Sequence, residues 1–228
     1  MRKISYLLAI LMTWCVFKVG ILDASEKTLT YHSFADENTS GAVIAEVLTK
    51  YRKASDGQTV LTRQKQFEQC LTKDEFTLDK DYALVQWART CPEEETDFTA
   101  KREGAVLIVQ GQLKGKPVNK NIDLGLKPLY VYPEYNLTRF VLSDMRKIEF
   151  WTLRRDELDK LPMQARKEGE ETIVVNGKEI EAVKVYYSIV GKLREKYYYR
   201  YCYYRKSDGA YIKQVEPKGR TEMLIKED

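Results

Sequence analysis

Tyrosine is the residue type whose spacing most suggests a working surface. Six of the ten residues from Lys196 to Arg205, in the run Lys-Tyr-Tyr-Tyr-Arg-Tyr-Cys-Tyr-Tyr-Arg, are tyrosine. Successive side chains of a strand point to opposite faces. Extended, this run therefore sorts Tyr197, Tyr199, Tyr201 and Tyr203 into one wholly aromatic row and Tyr198, Arg200, Cys202 and Tyr204 into the other. The aromatic row has two readings. In one, tyrosine is simply a good strand former whose ring packs under a cover while its hydroxyl reaches water. In the other, the row lines a concave surface for an apolar or amphipathic ligand, helped by Val183, Val185, Tyr187 and Ile189 of the neighbouring strand. Trp87 and Trp151 are further candidates for that inner surface. A sugar-stacking face would add carboxylates and amides on the same side, and strand parity supplies none.

Other chemistry is thinly represented. The chain has 16 tyrosines against one histidine, His32, whereas general acid–base catalysis, nucleophilic triads and zinc sites lean on histidine. No GxSxG nucleophile signature occurs, and His32 reads as a surface or edge residue of a first strand. Asp79 and Asp81 form a DxD near Asp74, Glu75 and Glu93 to Glu95, without calcium-loop spacing; exposed acidic loops explain them. Paired glycosidase carboxylates need no fixed sequence spacing, which leaves one enzymatic reading open. The residues otherwise point to no catalysis, no metal and no cofactor. Asn136-Leu137-Thr138 is a glycosylation sequon, relevant only in a eukaryote.

The N-terminus implies export. Arg2 and Lys3 precede an uncharged stretch from Ile4 to Phe17, and small residues follow at Ala24 and Ser25, the order of a secretory signal. Residues 1–24 are read as that signal. The apolar run is shorter than the roughly 20 residues of a spanning helix, although an uncleaved anchor with the domain outside the cytoplasm is the alternative. Trp14 stands before Cys15 where a lipoprotein signal needs a small residue, so lipidation is rejected. Removing Arg2, Lys3, Lys18 and Asp23 leaves 35 basic and 33 acidic residues, a formal charge of +2. No dense Lys/Arg block remains, which argues for no nucleic acid as partner. Of the remaining cysteines, Cys70 and Cys91 are the expected disulfide, stabilising by about 3 kcal/mol in the chain-entropy model. Cys202 reads as a small buried strand residue.

The elements that must position these residues are mostly strands. A length of 228 residues fits one sizeable core, and residues 25–228 are read as a single domain. Thr28 to Phe34 is a short strand. Thr39 to Lys53 reads as an amphipathic helix with Ile44, Val47, Leu48 and Tyr51 on one stripe, strand being the competing assignment because Val43, Ala45 and Val47 alternate. A strand is placed between Ser55 and Cys70. From Tyr82 the chain becomes a meander: Ala83 to Thr90, Thr96 to Arg102, Ala105 to Leu113 and Pro117 to Asp123, with turns at Glu103-Gly104 and Lys114-Gly115. The run from Ala105 to Val109 is apolar at every position, which predicts a sheet covered on both faces, the Thr39 to Lys53 helix supplying the cover. Residues 124–145 are an irregular connection with a short helix at Leu137 to Leu142. Arg146 to Leu153 is a strand carrying Phe150 and Trp151 on opposite faces, and Asp156 to Ala165 reads as a helical turn followed by loop. Asn176-Gly177 predicts a type I′ hairpin placing Ile173 opposite Ile180. Glu195 to Arg205 and Ala210 to Val215 complete the set.

Four segments carry a resemblance: Ala100-Lys-Arg-Glu-Gly104, Val109-Gln-Gly-Gln-Leu-Lys-Gly-Lys116, Phe150-Trp151 and Tyr203-Tyr-Arg-Lys-Ser-Asp-Gly209. In this order, after a signal peptide, they resemble a group of uncharacterised exported bacterial proteins similar in pattern to the LolA/LolB-like lipoprotein carriers. The likeness spans about residues 96–219. It implies an antiparallel β half-barrel closed by helices over an apolar cavity. The expected fold is thus mainly β (α+β), a curved antiparallel sheet or half-barrel with an amphipathic helix covering the concave face. The expected function is non-enzymatic binding or carriage of a lipid or other apolar ligand in the periplasm. A structural or protein-interaction module of the cell envelope, its cavity filled by its own side chains, is the alternative.

Overall fold

The computed structural model describes residues 26–228 apart from 36–38, 40, 55, 69 and 192–197. The expected signal segment and Tyr197 lie outside the described residues. One antiparallel sheet of fourteen strands accounts for most of the chain. Its first half is β1 (Lys27–Phe34), β2 (Val43–Lys53), β3 (Thr59–Phe67), β4 (Cys70–Leu78), β5 (Leu84–Cys91), β6 (Thr96–Glu103), β7 (Val106–Leu113) and β8 (Lys116–Asp123). Two short helices follow, α1 (Pro133–Asn136) and α2 (Thr138–Leu142). The second half is β9 (Lys147–Arg154), β10 (Asp159–Val175), β11 (Lys178–Ile189), β12 (Tyr199–Arg205), β13 (Tyr211–Val215) and β14 (Thr221–Glu227).

Spatial order is β8 down to β1, then β14 down to β9. Each half is a meander, and the pairing of β1 with β14 joins them. The sheet does not close, because β8 and β9 remain its edges. Both edges are managed. Residues 128–130 bond along β9, with Trp151 N donating to Pro128 O and Tyr130 N to Trp151 O, both at 2.8 Å. Lys120 of β8 reaches across to Asp159 Oδ1 at 2.8 Å. The backbone pairing along β9 leaves that edge fewer free ladder groups for another chain, and the lysine puts a charge on the β8 edge. Among the described residues, no helix is long and apolar enough to cross a membrane.

Three sequence expectations are corrected. Thr39 to Lys53 is not a helix: Val43–Lys53 is β2, paired with β1 and β3, and Ala45, Val47 and Thr49 form its buried row. The β-branched Val43, Ile44, Val47 and Thr49 favour extended backbone, and ladder bonds on both sides decide between two apolar periods that the segment carries at once. Asp156 to Ala165 is a turn and then strand, not helix and loop. Pro162 is tolerated in β10 because the β10–β11 pairing ends at Met163 and Ile189, so no ladder donor is needed at Pro162, while its carbonyl still accepts Val190 N at 2.9 Å. Among the described residues no helix covers the second face of β7; Leu107 and Val109 are buried, whereas Val106 and Ile108 stay half-buried.

The core occupies one face of the sheet and takes a contribution from the 124–145 connection. Tyr135 of α1 lies against Tyr31, Tyr51 and Tyr211 at ring separations of 6.0, 6.3 and 5.5 Å. Buried tyrosines need partners for their hydroxyls, and they have them: Tyr31 donates to Tyr211 O, Tyr204 to Pro133 O, and Tyr135 accepts from Thr49 Oγ1. Two hairpins show why the register is firm. Lys114-Gly115 and Asn176-Gly177 both have positive φ at both residues, the requirement of a type I′ turn, and Ile173 faces Ile180.

Candidate ligand-binding cleft

The side chains of interest converge on Tyr132, just before α1. Its hydroxyl donates to Asp74 Oδ2 at 2.6 Å, and the guanidinium carbons of Arg63 and Arg155 each lie 4.6 Å from its ring centroid. Asp74, on the core-facing row of β4, also accepts from Trp87 Nε1 at 2.9 Å and from Arg89 at 3.5 Å. Burial raises the Tyr132 hydroxyl above its usual range, so it stays a donor. Arg63 of β3 and Arg89 of β5 share the parity of Leu61 and Trp87, which turns them inward. Arg155 sits at the β9–β10 turn and is exposed. Arg200 of β12 donates to the Tyr187 hydroxyl at 3.2 Å and pairs with Glu216 at 3.1 Å.

These groups open onto a cleft of about 640 Å³. Leu161, Met163 and Ile189 give it an apolar wall, and Arg89, Arg155 and Arg200 give it guanidiniums. Met163 faces Ile189 across the β10–β11 ladder, and Tyr187, two residues before Ile189, faces Arg200 across β11–β12. The apolar pair and the cation are thus neighbours on one pleated surface. Glu134 of α1 lines the same cleft; burial raises its carboxyl, with Arg200 opposing.

The candidate residues read from sequence are distributed differently. The row of β12 that faces the core is the mixed one, with Cys202 and Tyr204 fully buried. Tyr199, Tyr201 and Tyr203 form the opposite row, half-buried, and the cleft is lined by Tyr198 and Arg200 in their place. Tyr186 stacks on Tyr199 at 5.6 Å and meets Tyr201 at 5.4 Å, while the Lys184 ammonium lies 4.9 Å from Tyr201 and 5.5 Å from Tyr203. Trp87 is wholly buried between Phe76 and Phe98. Trp151 is on the face opposite Phe150, donates to Leu124 O at 2.7 Å, and carries Lys127 and Lys160 over its ring. Neither tryptophan lines the cleft.

A solved structure from Brucella abortus, described as a beta-barrel-like protein of the domain of unknown function DUF1849, matches with a TM-score of 0.56. The likeness is one of fold. It covers 89% of this chain and 97% of the other at 12% sequence identity, and supports a mainly β, barrel-like architecture. No protein-family model matches the sequence, and no curated protein does.

The expected disulfide is not formed in the structure. Cys70 and Cys91 are free thiols with sulfurs 3.2 Å apart, and their hydrogen bond raises the Cys70 thiol. They stand with Glu94 as three potential ligand atoms within 4.8 Å of one another, fewer than the four of a closed zinc site. Cys202 is buried, which pushes its thiol well up and makes it unreactive. His32 lies on a central strand with Glu46 at 3.6 Å. Asp79 Oδ1 accepts from the backbones of Asp81 and Ala83, a turn-forming role. Asn136, the sequon asparagine, is buried and donates to Tyr82 O at 2.6 Å.

Sequence reasoning missed Arg63, Arg155, Tyr132 and Glu134 as a group. Only Arg200 carried a signal, its place among tyrosines with core-facing parity.

Proposed function

We propose that this chain is an exported, non-catalytic binding or carrier protein that holds a lipid-like ligand in the cleft beside β9, β10 and β11. The observation that carries the reading is the cleft of about 640 Å³ combining Leu161, Met163 and Ile189 with the guanidiniums of Arg89, Arg155 and Arg200. Its volume lies within the roughly 300–1,000 Å³ of small-ligand sites. An acyl chain laid on the apolar wall gains about 0.8 kcal/mol per CH₂ removed from water, and the charged groups suit a polar end. The 124–145 connection is the lid of this reading, and the LolA/LolB-like sequence pattern agrees with it. Native mass spectrometry of the full chain purified from a membrane-containing lysate is expected to show a bound lipid that Ile189→Trp, which fills the cleft, loses. A ligand-free protein that also fails to bind an acyl-chain fluorophore overturns the reading.

A second reading, an envelope protein-interaction module, is favoured by Leu126 and Met145. These line one surface hollow and are fully and half exposed. Under it, Leu126→Lys removes an in-cell crosslink to an envelope protein while leaving lipid content unchanged.

A further inference from the structure

A second, smaller hollow of about 110 Å³ adjoins the cleft, sharing Glu134, Arg155 and Arg200 with it. Five basic residues line this hollow, Arg63, Lys65, Arg155, Arg200 and Arg220, against three acids, Glu134, Glu216 and Glu222. The acids do not neutralise the cations one for one. Glu216 is taken by Arg200. Glu222 accepts from Ser33 and Tyr211 at 3.3 Å each and approaches Arg63 only to 4.0 Å, beyond hydrogen-bond distance. Burial drives Glu134 toward its neutral form. Lys65, Arg155 and Arg220 form no ion pair among the described residues, and the buried Nε of Arg63 has no hydrogen-bond partner. Burial and the neighbouring Arg63 make the charged form costly at Lys65, whose ammonium is pushed down to about 8. A bound anion reverses that cost.

We propose that this hollow is a binding site for a tetrahedral phosphate oxyanion, held by Arg63, Lys65, Arg155 and Arg220. The donors come from separate places, β3, the β9–β10 turn and the residue preceding β14, which suits a tetrahedral group better than a planar carboxylate. The volume equals about three to four water volumes at roughly 30 Å³ each, room for a phosphate group and a water. Because the hollow shares Glu134, Arg155 and Arg200 with the cleft, the phosphate is either free or the headgroup of a ligand whose apolar part lies on Leu161, Met163 and Ile189; the second source rests on the function proposed above.

The test is a titration of the full chain with inorganic phosphate, followed by calorimetry or thermal shift against chloride and acetate at matched ionic strength. Saturable binding by phosphate alone is expected, weakened at least about ten-fold in Arg155→Gln/Arg220→Gln, as loss of charge-assisted bonds requires. Both side chains are at least partly solvent-exposed, so the variant keeps its fold, checked by circular dichroism. Absence of phosphate binding, or binding unchanged in that variant, overturns the site. The two sources are separated by a lysophospholipid with a phosphomonoester headgroup and the matching neutral monoacylglycerol. If the lysophospholipid competes with phosphate and the double variant loses preference for it over the neutral lipid, the anion is a headgroup. If phosphate binds in the arginine-dependent way and neither lipid binds, the site stands as a free-phosphate site and the lipid reading of the cleft fails.

Discussion

Tyr132 and Asp74 are joined by a 2.6 Å hydrogen bond between two residues 58 apart in sequence, one from the loop before α1 and one from the middle of β4. The bond ties the connection between the sheet's halves to its core-facing surface. It also fixes the ring on which Arg63 and Arg155 rest.

Removing the carboxylate is therefore expected to be severe. Asp74→Ala leaves Trp87 Nε1, the Tyr132 hydroxyl and Arg89 without their acceptor, and breaking a buried ionic network costs about 3–5 kcal/mol. Tyr132→Phe removes one donor only and is expected to cost about 1–3 kcal/mol. Urea denaturation of both variants checks the order; equal losses would contradict Asp74 as the hub.

Oxidation is expected to join Cys70 to Cys91. With oxidised glutathione as acceptor, the two thiols lose two electrons and two protons, and glutathione is reduced. Thiol titration of the denatured protein then finds Cys202 still free, since it is buried in β12. The bridge closes a loop of the 21-residue separation between the two and is expected to stabilise by about 3 kcal/mol, read as a higher melting temperature without reductant.

Lys65 gives a pH signature. Its folded-state ammonium titrates at about 8 against an ordinary 10.5. Between these values the unfolded chain keeps a proton that the folded chain has lost, so the stability attributable to this residue rises with pH across that window. Below pH 8 the cost of charging the amine is fully present. Lys65→Met is accordingly expected to gain most over wild type below pH 8, with the gain vanishing near pH 10.5. A gain independent of pH in paired denaturation curves contradicts this.

Gly111 in β7 has φ of +135°, and a Cβ there would come within 2.4 Å of Asp97 O and 2.7 Å of Phe98 Cα. Gly111→Ala is expected to destabilise by about 1–3 kcal/mol through overpacking and to separate β6 from β7 locally. Hydrogen exchange at the Phe98–Gly111 pairing measures this, with Gly104→Ala, which meets nothing within 4 Å, as the comparison.

The meander was readable where apolar alternation and turn chemistry agree. Strands β5 to β8, the I′ hairpin at Asn176-Gly177 and the short helix at α2 all follow from such local signals. β4 and β14 were not, because Cys70–Leu78 and Thr221–Glu227 interleave their buried residues with charge. Asp74 belongs to a core-facing row yet looks like a surface acid in sequence. β2 was misjudged because its apolar residues satisfy a period of 3.6 as well as 2. The aromatic row of β12 was sorted correctly by parity, but parity does not say which row faces the core; burial of Cys202 and Tyr204 answers that.

What the sequence determined by itself is the local part of the protein: the antiparallel hairpins of β5 to β8 and of Asn176-Gly177, the register of Ile173 with Ile180, and the sorting of β12 into two rows. These rest on interactions between residues a few positions apart. The pairing of β1 with β14, the burial of Tyr135 against Tyr31 and Tyr211, the placing of Arg63 and Arg155 against Tyr132, and the gathering of both with Arg200 in one hollow were decided by the tertiary structure alone. They join residues far apart in the chain, and no short-range period records which distant rows will share one hollow.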